Sequence, residues 1–316
     1  MTPLELIPKV QRRAREAVAH ATQWAVEHGA LPGGRDYKRF VVLCAIRTGS
    51  TMLGTYLGSH PNVRMFFELF HRHPHSVPFD VEGYRARANN PSVVHDRNSD
   101  PAGFLERHVF TRHRRWVKAV GFKLLYTQAR MGPQWWDEPK FDRWWAHLDR
   151  NKAPDWDAGT SDLWASLASD PAVHVIHLTR ENPLAGMVSA ELAKQTGRWG
   201  IGATGGAGRE TDEATVTLRP EHVLQDLDAG LRMRQEGEAV FAGHPLTHVT
   251  YEELVEAPDA ALANLQTFLG LPPAQLRTRT VKQNRRPLCD VIENYDALAE
   301  ALRGTRWASL LSDEPS

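Results

Sequence analysis

Residues 41–56 constrain the fold more than any other part of the chain. They read V-V-L-C-A-I-R-T-G-S-T-M-L-G-T-Y, so an apolar run ends at Arg47 and a helical pattern follows within five residues. This order predicts a strand, a tight turn and a helix. The N–H groups of the turn and the first helical turn have no intrahelical partners, and the helix dipole favours negative charge there. The segment therefore predicts an anion-binding turn.

The residue types in this turn narrow the kind of anion. A nucleoside-triphosphate P-loop needs two glycines five positions apart, followed by Lys and Ser/Thr. With Gly49 aligned to the second glycine, Cys44 takes the first glycine position and Ser50 takes the lysine position. The only cation of the turn, Arg47, stands two residues before the glycine. A P-loop-type nucleotide kinase therefore stays an alternative that lacks its lysine.

The same turn resembles the 5′-phosphosulfate loop of sulfotransferases that use 3′-phosphoadenosine-5′-phosphosulfate (PAPS). In that family the loop carries Lys or Arg, a small residue, Gly, Ser/Thr and Thr. The resemblance implies that Arg47 offsets charge on the oxygen that leaves with the 5′-phosphate. It also implies that the 5′-phosphate is held by the loop residues Thr48, Gly49, Ser50, Thr51 and Met52.

A second strand–helix unit spans residues 173–189. An apolar strand ends at Thr179, Arg180 follows at its tip, and Asn182-Pro183 is a good N-cap and first helical residue. Ser189 lies about two turns into the helix. The unit is similar to the one with which sulfotransferases bind the nucleotide's 3′-phosphate. The separation of Arg180 and Ser189 is one residue longer than in the cytosolic branch. The unit is similar to that of the bacterial carbohydrate sulfotransferases.

Candidate acceptor-side residues follow two further strands. Glu68 comes directly after a probable strand at 63–67, where a parallel sheet faces its ligand crevice. We interpret Glu68 as the base that takes the acceptor proton, with His71 as the second choice. Lys123, near the end of a strand at 116–125, is a supporting cation. In the structural alternative, Lys123 lies at the rim of the sheet, with its alkyl chain on apolar surface and its ammonium group in solvent.

A late basic segment, residues 282–287, completes the resemblance. In the family, a segment at this place closes over the 3′-phosphate. Lys282, Arg285 or Arg286 would do this here, and the sequence does not choose among them.

Composition excludes several classes of protein. Lys plus Arg and Asp plus Glu both number 38, so no global field gathers nucleic acid. The two cysteines form neither a disulfide framework nor a zinc motif, which suits the cytoplasm. The first residues lack a signal peptide's apolar run, and no segment is long enough to span a bilayer. The chemistry implied by the resemblance needs no metal.

The resemblance implies an α/β, P-loop-like three-layer fold with a central parallel sheet of about five strands. Residues 1–34 form an N-terminal amphipathic helix and linker, which packs on the domain or on a second subunit in a homodimer. Residues 35–316 form one domain, with acceptor-side insertions at about 70–115 and 130–170. The resemblance implies a PAPS-dependent sulfotransferase that releases PAP and modifies a hydroxyl of a carbohydrate or glycosylated small molecule. A non-catalytic nucleotide-binding protein stays a further alternative.

Overall fold

The computed structural model describes residues 3–71, 76–129, 162–197, 213–278, 280 and 286–311. Its strands form one sheet in the order β2-β3-β1-β4-β5, and every pairing is parallel. The strands are β1 (Lys38–Cys44), β2 (Val63–Phe66), β3 (Ala119–Leu125), β4 (His174–Thr179) and β5 (Leu246–Thr250). The predicted α/β fold with a five-stranded parallel sheet is confirmed.

Helices connect the strands and cover both faces of the sheet. In chain order they are α1 (Pro3–Glu27), α2 (Ser50–Gly58), α3 (Pro91–Ser99), α4 (Pro101–Phe104), α5 (Tyr126–Ala129), α6 (Asp162–Ser169), α7 (Pro183–Thr196), α8 (Pro220–Val240), α9 (Tyr251–Glu256), α10 (Pro258–Phe268), α11 (Leu288–Val291) and α12 (Tyr295–Leu302). A π-helical segment (Leu105–Val109) and two 3₁₀ turns (Arg85–Arg87 and Ala308–Leu311) complete the described elements.

The two central strands are buried because helices cover them on both sides. Every residue of β3 is buried, as is every residue of β1 from Phe40 onward. Such strands are continuously apolar, which is the pattern that the sequence shows. Gly121 allows β3 to approach β1, since a Cβ at this position would lie 2.4 Å from the carbonyl oxygen of Phe40. The tight pairing of β1 and β3 therefore depends on a residue without a side chain.

Two apolar clusters lie on opposite faces of the sheet. On one face, Leu53 and Leu57 of α2 pack with Leu262 and Leu265 of α10. On the other face, residues of segments 69–110 and 163–175 pack with Phe241, which follows α8. The sheet with helices on each side forms the three predicted layers.

Helix α1 packs through its C-terminal part. Gln23 and Val26 are buried, and Glu27 pairs with Arg87 at 2.6 Å. Nearer the N-terminus, Val10 and Val18 are exposed, and within the C-terminal part Trp24 is also exposed. The predicted N-terminal helix is confirmed, whereas its contact with a second subunit stays a prediction.

The structure leaves other parts of the sequence analysis as predictions. The division at residues 34/35 and the insertions at about 70–115 and 130–170 are untested, and residues 130–161 lie outside the described part of the chain. Among the described helices, none is both long and apolar enough to cross a bilayer.

Candidate functional site

The turn after β1 has an unusual backbone. Gly49 has φ 79° and Arg47 has φ 58°, so both adopt the left-handed conformation. Glycine adopts it without strain, whereas for arginine it is uncommon. Among the residues that the structure describes, Arg47 is the one non-glycine residue with positive φ. A strained residue of this kind is typical of functional turns.

Helix α2 begins immediately after this turn. Its first intrahelical hydrogen bond runs from the Leu53 N–H to the Gly49 carbonyl at 3.0 Å. The N–H groups of residues 50–52 precede that bond and have no intrahelical acceptor. The Thr48 hydroxyl donates to the Ala45 carbonyl at 2.9 Å, and this hydrogen bond within the turn stabilises its conformation. The N-terminus of α2 therefore has the geometry of the predicted anion site.

The tip of β4 lies beside this turn. Arg180 follows β4, and the Asn182 side chain caps α7 by accepting from the Ala185 N–H at 3.0 Å, as predicted. Nε and Nη2 of Arg47 donate to the Ser189 hydroxyl at 3.0 and 2.8 Å. Nη1 of Arg180 donates to the Arg47 carbonyl at 3.1 Å. The two predicted anion sites are thus in direct contact.

Two residues after β5 hold Arg180 in place. The guanidinium of Arg180 lies 4.5 Å from the centre of the Tyr251 ring, a cation–π contact. Glu252 is 4.0 Å from Nε of Arg180, and its other carboxylate oxygen accepts from the Glu181 N–H at 3.1 Å. The same Tyr251 ring covers Gly49, where a Cβ would lie 2.6 Å from it. Tyr251 and Glu252 come just past a strand end, a position that is a usable sequence signal for residues near a ligand site.

The paired arginines make a local positive site. Burial lowers the pKa of both Arg47 and Arg180, and the nearby Arg180 charge lowers the pKa of Arg47 further. Arginine nevertheless stays protonated in proteins, so two half-buried cations lie near each other. A multiply charged anion bound between them would offset this repulsion, since Coulomb energies are larger away from bulk water.

Glu68 lies past the carboxyl end of β2, among polar side chains. Its Oε1 is 2.5 Å from Nζ of Lys123, which is buried. Its Oε2 accepts from Nε2 of Gln128 at 3.0 Å, and the Gln128 side-chain oxygen accepts from the Leu125 N–H at 3.1 Å. Gln128, which follows the end of β3 by three residues, was not among the predicted site residues. The structure brings Glu68 and Lys123 together, as their positions at strand ends suggested.

The protonation state of Glu68 follows from two opposing effects. Burial raises the pKa of its carboxyl group, but the Lys123 charge and hydrogen bonds from Lys123 and Gln128 outweigh burial and lower it overall. The charge of His71 lowers it further, so His71 is also close to this carboxylate. Glu68 is therefore an ionised hydrogen-bond acceptor at neutral pH.

The remaining predicted residues are distributed around these two groups. Ser50 is buried at the start of α2, Met52 is half-buried and Thr51 is exposed. Arg286 donates to the Ala214 carbonyl, which joins two segments of the chain. Lys282 and Arg285 lie outside the described residues.

Comparison with known proteins decides the family. A model described as the sulfotransferase family matches residues 39–275, which include both strand–Arg–helix units. The chain belongs to this family. A solved sulfotransferase from Alicyclobacillus acidocaldarius is similar at 16% identity, with a TM-score of 0.39, covering 86% of this chain and 94% of that one. No curated protein sequence matches the chain.

In this sulfotransferase, a buried arginine supports the loop that carries Glu68 and His71. Arg97 of α3 is completely buried, and its Nη1 donates to the Ser76 carbonyl at 2.8 Å. The same nitrogen lies 3.4 Å from the carbonyls of Leu69 and His71. Arg97 lies in the predicted insertion at about 70–115, where no sequence pattern indicated this role.

We expect Arg97→Ala to lower the free energy of unfolding by about 3 kcal/mol, because buried carbonyls would lose their charged donor. Denaturant unfolding measures this change. Arg107→Ala is the control, since the Arg107 side chain is 46% exposed and its surface ion pairs contribute less than about 1 kcal/mol. Equal effects of the two substitutions would contradict the role of Arg97.

Proposed function

We propose that this sulfotransferase uses PAPS as its donor and transfers the sulfuryl group to a hydroxyl of a carbohydrate or glycosylated small molecule. The observation that carries the proposal is the meeting of Arg47 and Arg180, at the tips of β1 and β4, beside the N-terminus of α2. A nucleotide with phosphate groups at both its 3′ and 5′ positions matches two adjoining cationic groups. The acceptor class rests on the resemblance to the bacterial carbohydrate branch.

The strand order supports a nucleotide site at this place. The connection from β1 runs through α2 to β2, towards one edge of the sheet. The connection from β4 runs through α7 and α8 to β5, towards the opposite edge. The crevice between β1 and β4 is therefore a topological switch point, where open α/β sheets bind their ligands.

The donor-side residues have distinct proposed roles. The amides of residues 50–52, with the Ser50 and Thr51 hydroxyls, hold the 5′-phosphate. Arg180 and Ser189 hold the 3′-phosphate, and Lys282, Arg285 or Arg286 closes over it. Arg47, which now donates to Ser189, stabilises the charge that develops on the leaving oxygen. PAPS supplies the sulfuryl group and a leaving group that these contacts stabilise.

On the acceptor side, Glu68 orients the hydroxyl and takes its proton during in-line attack. The ionised Glu68 carboxylate can accept the proton, and its contacts with Lys123 and Gln128 fix its orientation. His71 is the alternative base. The cysteine usage of the sequence supports a cytoplasmic enzyme.

Ligand-dependent thermal unfolding tests the donor assignment. We expect PAP to raise the Tm of the full chain, whereas ATP with Mg²⁺ does so much less, because Ser50 replaces the P-loop lysine. A larger shift with ATP–Mg²⁺ would favour the kinase alternative. PAP binding without transfer of labelled sulfate from PAPS to a panel of carbohydrates and cell extracts would favour a non-catalytic protein.

We expect Lys123→Met to move the acidic limb of the kcat/KM–pH profile to higher pH. Removing this cation takes away the main cause that lowers the pKa of Glu68 and leaves the burial that raises it. The sign follows because a base must be deprotonated to act, so its activity is lost as pH falls through its pKa. Lys118→Met, an exposed lysine just before β3, is the control. An unmoved limb in Lys123→Met would argue against Glu68 as the base.

A further inference from the structure

A second group of polar side chains meets between the sheet and α8. His177 of β4 and His248 of β5 are partners in the parallel ladder, so their side chains leave the same face of the sheet side by side. Their ring centres are 5.3 Å apart. Glu238 of α8 lies opposite, with Oε1 3.5 Å from Nδ1 of His177. None of the three belongs to the proposed donor or acceptor residues.

The distances suit a shared ion. One ligand atom from each of the three residues lies within 4.8 Å of the other two. Around a tetrahedral zinc ion, with bonds of about 2.0–2.2 Å, ligand atoms are about 3.4 Å apart. The 3.5 Å separation of Nδ1 and Oε1 is already close to this value, and His248, which is exposed, can approach by side-chain rotation.

The state of His177 points to a ligand. Its side chain is fully buried, and within the described residues its Nδ1 makes no hydrogen bond. Buried polar atoms are nearly always hydrogen-bonded, so this nitrogen requires an explanation. The other ring nitrogen, Nε2, is hydrogen-bonded to the Tyr126 hydroxyl. Metal-binding histidines have this arrangement, since the bond from the second nitrogen fixes the ring and its tautomer.

We propose that His177, Glu238 and His248 bind a divalent transition-metal ion of the zinc class, with water in the fourth position. Two imidazoles and one carboxylate form a donor set that zinc prefers. The ion would join α8 to β4 and β5, and so brace the strand whose tip carries Arg180.

One neighbouring residue competes with the ion. Nε of Arg234 lies 3.1 Å from the Glu238 oxygen that would coordinate. The Arg234 side chain is 46% exposed, and an exposed pair of this kind is weak, so the arginine can leave for solvent at small cost. Removing the Arg234 side chain should therefore strengthen metal binding. A cluster with a purely structural role predicts no such gain.

Calorimetric titration of the full chain with zinc chloride, after removal of bound metal by a chelator, tests the proposal. We expect His248→Ala and Glu238→Gln each to weaken zinc binding at least tenfold. Tyr126→Phe should weaken it about 10- to 100-fold, as loss of a supporting hydrogen bond does at other metal sites. Arg234→Ala should tighten it. His95→Ala, an exposed histidine of α3, should leave it unchanged.

The variants at His248 and Glu238 change exposed or half-buried side chains, so the fold should survive, and circular dichroism checks this. A crystal structure with zinc, with anomalous scattering at the zinc edge, should place the ion between the three side chains. Zinc affinity that is unchanged in both His248→Ala and Glu238→Gln would overturn the proposal. So would an anomalous peak located only elsewhere.

Discussion

We expect Arg180→Ala to weaken PAP binding by roughly 10- to 150-fold. Hydrogen bonds to charged groups contribute about 1.5–3 kcal/mol, and each 1.4 kcal/mol is a tenfold change in affinity. The loss acts in two ways, because Arg180 would contact the 3′-phosphate and also supports the turn by donating to the Arg47 carbonyl. Isothermal titration of PAP into the wild type and the variant measures the effect.

Two further variants separate the loss of an Arg180–PAP contact from indirect effects of a substitution on the structure. Glu252→Gln keeps Arg180 but removes the carboxylate beside it, so PAP affinity should change less than in Arg180→Ala. Arg303→Ala should have no effect, because the Arg303 side chain is 74% exposed and pairs with Glu300 of the same helix end. PAP affinity that is the same in Arg180→Ala and the wild type would remove Arg180 from the donor site.

The second large effect is expected for Glu68→Gln, which should lower kcat about 10²- to 10⁴-fold, the usual contribution of a general base. Glutamine keeps the size of the side chain and its contact with Gln128 but cannot take a proton. PAP affinity should stay at the wild-type value, because Glu68 lies on the β2–β3 side of the site. Steady-state sulfate transfer and PAP titration together measure both quantities.

Glu106→Gln is the matched control for this substitution. Glu106 is 45% exposed and pairs with arginines at the surface, so its replacement should leave kcat unchanged. Full activity of Glu68→Gln, with activity lost in His71→Ala, would transfer the role of base to His71. Loss of PAP binding in Glu68→Gln would instead indicate a structural role for the carboxylate.

Much of the fold could be predicted because its signals are local. The apolar run before Arg47, the turn at Gly49 and the cap at Asn182 each specify structure within a few residues. Since parallel strands present their carboxyl ends at one edge, residues that follow strands were also identifiable as site candidates. Arg47, Arg180 and Glu68 became site candidates in this way.

The rest of the site depends on contacts between distant parts of the chain. Arg97 reaches carbonyls more than twenty residues away, and the Tyr251 ring covers a glycine two hundred residues earlier. His177 and His248 meet only through the register of β4 and β5. No periodicity or spacing encodes such pairings, because tertiary packing sets them.

The central place of β1 has a consequence for how this enzyme could change its specificity. Arg180 stands on one flank of β1, above β4, whereas Glu68 and Lys123 stand on the other flank, above β2 and β3. The two reactants would approach from opposite sides and meet over a single strand end. Evolution or engineering could therefore change the residues of the β2 flank for a new hydroxyl acceptor, while the proposed nucleotide-binding residues on the other flank stay unchanged.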